Sequence, residues 1–244
     1  MIARKIKRLF LLIIDYYKFL RISLMNKNKK FFYIYTSKYW QNMTDGSLSG
    51  GGSNDISTHN IKKSLSEFIK YNNIKSIIDI PCGDWKWMSE FDLSDLEYFG
   101  YDIVDDLILD NQRKYTKKNI TFDVKNLVNE KLPKSDLIII RDLLVHLDHT
   151  DIIKCLTNLD DSDFKFIGIT NYPKIISHKN RLFGDYLRLG DKWRPINFSI
   201  HPYRLPSPDF NLSDTNDLSE IDKNKYISIW KKNNFDISKI NLQL

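Results

Sequence analysis

The chain has 244 residues, 42% hydrophobic and 13% aromatic, which suits a folded core and excludes a disordered protein. Cys82 and Cys155 are the only cysteines, too far apart and too few for a disulfide framework or a zinc site, and they fit a reducing cytoplasm. The net charge of +6 is unevenly held: ten basic residues against the single acid Asp15 put +9 on residues 1–44, leaving −3 on the rest. The body therefore lacks the basic surface of a nucleic-acid enzyme, and no nucleic-acid partner is expected.

Residues 1–44 form a basic N-terminal arm. Its apolar run, Leu9-Phe10-Leu11-Leu12-Ile13-Ile14, is interrupted by Asp15, Lys18 and Arg21, well short of the roughly 20 residues of a membrane span. No small-residue cleavage site follows it, so a signal peptide is not expected. Ile2, Ile6, Leu9, Ile13, Tyr17 and Leu20 recur at helical spacing beside Arg4, Lys5, Lys7 and Arg8. Such a basic amphipathic helix either packs on its own domain or a partner, or lies peripherally on an anionic membrane face.

An aromatic stretch over 31–40 then meets Asp45-Gly46-Ser47-Leu48-Ser49-Gly50-Gly51-Gly52-Ser53, which holds four of the nine glycines. This is a flexible linker or a loop whose backbone comes close to a ligand. From there strands and helices alternate. Residues 58–71 carry apolar positions at helix spacing, 75–80 read as a strand, and a short helix is predicted to begin near Asp84. Strands follow at 97–101 and 119–122, separated by a helix over 105–115. The segment 136–140, apolar at every position after Asp136, has the character of a buried parallel strand. A helix over 149–159 and a strand over 164–170 complete the pattern. This alternation predicts a Rossmann-like α/β domain over 45–244, a seven-stranded, mostly parallel sheet with helices on both faces. Residues 171–220 lack periodicity and hold five of the seven prolines, which predicts a substrate-covering insert. Residues 226–230 and 235–242 read as closing, antiparallel strands.

The segment Ser76-Ile77-Ile78-Asp79-Ile80-Pro81-Cys82-Gly83-Asp84-Trp85 carries the chemistry. An apolar strand ends in an acid and a glycine turn, where open α/β sheets bind ligands beyond the carboxyl ends of their strands. Asp102, with Ile103 beside it, ends the second strand, where a carboxylate accepts hydrogen bonds from both hydroxyls of a ribose. Asp123, with Val124, ends the third, where an adenine amino group needs an acceptor. Each acid alone is weak; three at successive strand ends form a pattern.

These residues resemble the first motifs of class I S-adenosylmethionine-dependent methyltransferases, with Asp102 in the ribose position and Asp123 in the adenine position. Only Gly83 remains of the usual two or three glycines, which weighs more against a dinucleotide dehydrogenase than against this family. A narrower resemblance is to a small bacterial subfamily linked to capsule and surface-polysaccharide modification, including phosphoramidate O-methylation. It runs through Trp40, Ser49-Gly50-Gly51-Gly52-Ser53, Pro81-Cys82-Gly83-Asp84, Arg141-Asp142-Leu143-Leu144-Val145-His146-Leu147, Gly190-Asp191-Lys192-Trp193-Arg194-Pro195-Ile196-Asn197 and His201-Pro202-Tyr203-Arg204-Leu205-Pro206-Ser207-Pro208. It implies S-adenosylmethionine as cofactor and a small-molecule or glycan-precursor acceptor, methylated on a sugar hydroxyl or a phosphoramidate or phosphate oxygen.

His146 is the candidate general base. Asp142, four residues earlier, would share a helical face with it and orient the imidazole. The alternative is that Asp142 caps a helix and His146 is a packed structural residue. Adding His149 gives a spacing that permits metal ligation, but no fourth ligand accompanies it and no metal is expected. Ser49, Trp193, Arg194, His201 and Tyr203 are candidate acceptor contacts, and Arg141 either meets a phosphate or pairs with an acid. An RNA or protein methyltransferase and a non-catalytic, membrane-associated scaffold stay open as alternatives, as does a homodimer.

Overall fold

The computed structural model describes residues 25, 27–39, 47–53, 55–178, 193–215 and 219–240. The arm helix expected from Ile2 to Leu20, Trp40 and Lys192 lie outside the described residues.

The strands are β1 (Ser76–Asp79), β2 (Glu97–Asp102), β3 (Ile120–Val124), β4 (Ser135–Ile140), β5 (Phe164–Asn171), β6 (Phe210–Ser213) and β7 (Tyr226–Lys231). The helices are α1 (Lys27–Thr36), α2 (Asp55–Tyr71), α3 (Asp105–Tyr115) and α4 (His149–Asp160). The seven strands form one sheet in the order β3-β2-β1-β4-β5-β7-β6. β1 to β5 run parallel, and β7 enters antiparallel between β5 and β6. The Rossmann-like, mostly parallel sheet expected from the alternation of strands and helices is the observed fold.

The period-two alternation of the strands divides the core between two layers. Ile78, Ile80, Ile138, Ile140, Ile167 and Ile169 point to one face, where Ile152, Cys155, Leu156 and Leu159 of α4 cover them. Ile77, Tyr98, Leu137, Ile139, Ile227 and Ile229 point to the other, under Ile61, Leu65 and Phe68 of α2 and Ile108 of α3. The spacing of those helical residues places each set on one stripe. α4 begins where the Asp148 side chain accepts a hydrogen bond from the Asp151 amide at 3.0 Å, capping the first turn.

Three local expectations are corrected. No α-helix starts near Asp84: Trp85 takes φ 57° and only one 3-10 turn, Met88–Glu90, precedes β2. The turn leads into aromatic packing instead, with Trp85 against Tyr98, Tyr115 and Phe122. Residues 235–240 form no strand: Phe235 follows a 3-10 turn, Lys232–Asn234, and is buried in the core. The strand that completes the sheet is β6, within the stretch whose prolines hid it. Its Leu212 fills the layer beside Ile227 and Ile229.

Candidate active site

A cavity of about 290 Å³ opens beyond the carboxyl ends of β1, β2 and β4, near the lower limit of small-molecule sites at roughly 300–1,000 Å³. The turn after β1 forms its floor, with Ile80, Pro81, Cys82 and Gly83 at the surface. The Ile80–Pro81 peptide is cis and Gly83 has φ 57°, a conformation open to glycine without a Cβ clash. A Cβ on Gly83 would also collide with the Ser49 Oγ.

Asp102 holds this turn in place. Its Oδ2 accepts from the Gly83 amide at 3.2 Å and its Oδ1 from the Val104 amide at 3.2 Å. The side chain is buried at the cavity wall with Ile103 beside it. Desolvation pushes its carboxyl up to about 6, against the pull of the Val104 and Gly83 amides. The Ile103 amide pulls the same way, and a carboxylate's roughly four acceptor sites still leave capacity for a further donor. Asp79 lies just beneath the floor and is fully buried. Its Oδ2 accepts from the Tyr98 hydroxyl at 2.7 Å, whereas Oδ1 has no partner among the described residues. Burial raises its carboxyl to about 7.

Asp84 does different work. Its carboxylate accepts from Ser47 Oγ at 2.5 Å, the Leu48 amide at 2.8 Å and Ser49 Oγ at 3.2 Å. The Asp84 amide donates to Ser49 Oγ at 2.9 Å. The glycine–serine segment is thus a loop fastened over the β1 turn, and Ser49 also meets the Tyr35 hydroxyl of α1 at 3.3 Å. Phe31, Tyr35, Ser49 and Ser53 line the cavity from this side.

At the end of β4, Asp142 stands in the left-handed region at φ 57°. The expectation that Asp142 and His146 share a helical face is corrected, because the backbone reverses there and only the 3-10 turn Leu144–His146 follows. The Asp142 amide donates to Thr170 Oγ1 at 2.9 Å, and its Oδ2 takes a hydrogen bond from Lys225 Nζ at 2.6 Å. Burial raises its carboxyl, but Lys225 and Arg141 outweigh burial and hold it at about 2. His146 lines the same cavity and is among the neighbours that lower the Asp142 carboxyl.

Arg141 is buried and faces an acid. Nε and Nη2 bind Asp214 at 3.0 and 2.9 Å, Nη2 also donates to the Gly52 carbonyl at 2.7 Å, and the guanidinium lies over the Trp87 ring. Lys225 joins the network through Asp214 at 3.0 Å.

Among the other expected residues, Trp85 is in the aromatic core and Asp123 and Val124 are exposed at the end of β3. Lys125, Asn126, Leu127, Val128 and Asn129, just beyond them, form the cavity wall there. Trp193 packs edge-on against Tyr172, and the Arg194 amide donates to the Val145 carbonyl. Tyr203 is buried against Phe198 and His149, and His201 is exposed. None of these four borders the cavity. His149 faces Tyr203, and among the described residues no group of three or more His, Cys, Asp or Glu is arranged to hold a metal ion. Sequence reasoning missed Lys225 and Asp214: each is one charge among several in its stretch with no motif to single it out, and only the meeting of β4, β6 and β7 brings them together.

No protein-family model matches the chain, and no curated protein matches it in sequence. Solved structures do. The methyltransferase domain of bacterial CtHen1 is 15% identical with a TM-score of 0.54, covering 72% of this chain and 98% of that one. Magnesium protoporphyrin IX methyltransferase (ChlM) from Synechocystis PCC 6803 with bound SAH is 14% identical with a TM-score of 0.56, covering 81% and 94%. The N-methyltransferase NodS from Bradyrhizobium japonicum WM9 is 13% identical with a TM-score of 0.52, covering 74% and 98%. The chain has the Rossmann-like fold that these methyltransferases share. At such identities the likeness concerns fold alone.

Proposed function

We propose that this chain is an S-adenosylmethionine-dependent methyltransferase that O-methylates a small polar acceptor in bacterial capsule or surface-glycan biosynthesis. The acceptor is a sugar hydroxyl or a phosphoramidate or phosphate oxygen. Asp102 is the observation that carries the cofactor reading: a buried carboxylate at the end of β2, it borders the cavity and is held by backbone amides alone, with acceptor capacity left over. Ribose hydroxyls donating to it would replace the water it has lost.

The residues fit the cofactor in a second way. The Gly83 turn forms the cavity floor, and the unpartnered Asp79 Oδ1 beneath it favours a nearby cation such as an α-ammonium. Ile103, Leu127 and Leu143 offer apolar walls for an adenine. When bound, S-adenosylmethionine supplies an electrophilic methyl group on a sulfonium. His146 takes the proton of a hydroxyl acceptor, and Asp142, ionised and fixed by Lys225, steadies the charge that His146 gains. The bacterial surface-glycan role rests on the sequence resemblance. Among the described residues, no helix is long and apolar enough to cross a membrane.

Calorimetric titration of S-adenosylhomocysteine tests the cofactor assignment. Wild type should bind, and Asp102→Ala should weaken binding by about tenfold or more. A folded wild type that does not bind overturns it and favours a non-catalytic scaffold.

A further inference from the structure

Four charged groups meet behind one end of the cavity: Arg141, Asp142, Asp214 and Lys225. They are unequal in what they present. Arg141, Asp214 and Lys225 have side chains 4%, 0% and 5% exposed, whereas that of Asp142 is 25% exposed. Lys225 is held between two carboxylates, at 2.6 Å from Asp142 and 3.0 Å from Asp214. The Arg141 side chain reaches the cavity wall, but its Nε and Nη2 are committed to Asp214 and the Gly52 carbonyl. Its remaining Nη1 leans on Asp142 at 3.7 Å.

From this arrangement we propose that Asp142, with its counter-ions turned away behind it, makes the cavity select an uncharged hydroxyl acceptor over a phosphate-type anion. The inference rests on the methyltransferase reading of this cavity and deepens it by choosing between the two acceptor chemistries. A carboxylate has only lone pairs to offer, so a hydroxyl donates to it and an ionised phosphate oxygen cannot. Two anions in contact repel, most strongly where water is excluded.

Asp142 cannot turn aside to relieve that repulsion. Its backbone is fixed in the left-handed region, with its amide bonded to Thr170 Oγ1 and its carboxylate to Lys225. Gly52 packs so closely that a Cβ there would stand 3.0 Å from Asp142 Oδ2. The other charges at the cavity do not reverse the sign. The acids Asp102 and Asp151 balance the cations Lys125 and Lys154, Lys125 being bound to Glu130 at 2.9 Å, and His146, as the base of the proposed reaction, is uncharged when it meets the acceptor. The Lys225 and Arg141 cations keep Asp142 ionised across the working range of pH.

Inorganic phosphate is the probe. It is titrated by calorimetry into wild type, Asp142→Asn and the double variant Asp142→Asn/Lys225→Met, each with and without S-adenosylhomocysteine. The double variant removes the carboxylate with its counter-ion and leaves the Arg141–Asp214 pair intact, which guards against misfolding of the single one. Both variants should bind phosphate about tenfold or more tightly than wild type. Wild type binding phosphate as well as the variants do, or no gain in either folded variant, overturns the inference. Failure of S-adenosylhomocysteine to bind wild type would count against the methyltransferase reading alone, because the phosphate comparison is made without it as well.

Discussion

Asp102 and Asp142 each follow or end a strand of the same parallel sheet, and both border the same cavity, yet they are held in opposite ways. Asp102 meets only backbone amides, and burial lifts its carboxyl to about 6. Asp142 is also desolvated, but Lys225 and Arg141 outweigh that and hold it at about 2. The difference teaches that position at a strand end does not define an acid; the presence of a buried cation behind it does. Asp102 is left with unmet capacity for donors, as a ribose site needs. Asp142 is a fixed anion already matched by its own protein.

The two carboxyls also oppose each other in their effect on stability. For Asp102 the folded value lies above the unfolded one, so its contribution falls as pH rises from about 4 to about 6. For Asp142 the folded value lies below, so its contribution is present above about pH 4 and is lost as pH falls toward 2.

The strongest way to break this contrast is to remove the network behind Asp142. Asp214→Ala leaves Arg141 and Lys225 buried with one carboxylate between them and should cost about 3–5 kcal/mol in chemical denaturation. An effect below about 1 kcal/mol, the level of an exposed pair, would show that water reaches the cluster.

A second experiment sharpens the Asp102 side. The ionised form of Asp102 is the better acceptor for ribose donors, and that of Asp79 for an α-ammonium, so affinity for S-adenosylhomocysteine should level off only above about pH 8. Below about pH 6 it should fall further as Asp102 takes up its proton. Asp102→Asn should flatten the part of the slope near pH 6. An unchanged slope in the variant would assign it to another group.

The smallest expected effect concerns the loop fastened over the β1 turn. Ser49→Ala deletes the acceptor of the Asp84 amide and the contact with Tyr35, and should cost about 1 kcal/mol of stability. Cofactor affinity should weaken with it if the loop closes the cavity. Stability lost with affinity intact would make the loop a structural strap only.

Much of the architecture was legible in the chain because its signals are local. Apolar runs such as Leu137–Ile140 (with Asp136 at their start) can only be buried strands when helices alternate with them. The spacing of Ile152, Cys155, Leu156 and Leu159 fixes one helix face. Asp79, Gly83 and Asp102 were found because a strand end followed by a tight turn leaves its mark in neighbouring residues. β6 was not found, since four residues among prolines carry too short an alternation to be recognised.

The sequence by itself determined the layered sheet, the glycine turn after β1 and the acid at the end of β2, because periodicity and turn chemistry act between residues near in sequence. Only the tertiary structure decided which charges meet. Arg141 and Asp214 are 73 positions apart, and Asp142 and Lys225 are 83 apart. Their pairing depends on where β6 and β7 cross the end of β4, and electrostatic energy depends on distance in space and on burial, neither of which is written in local spacing.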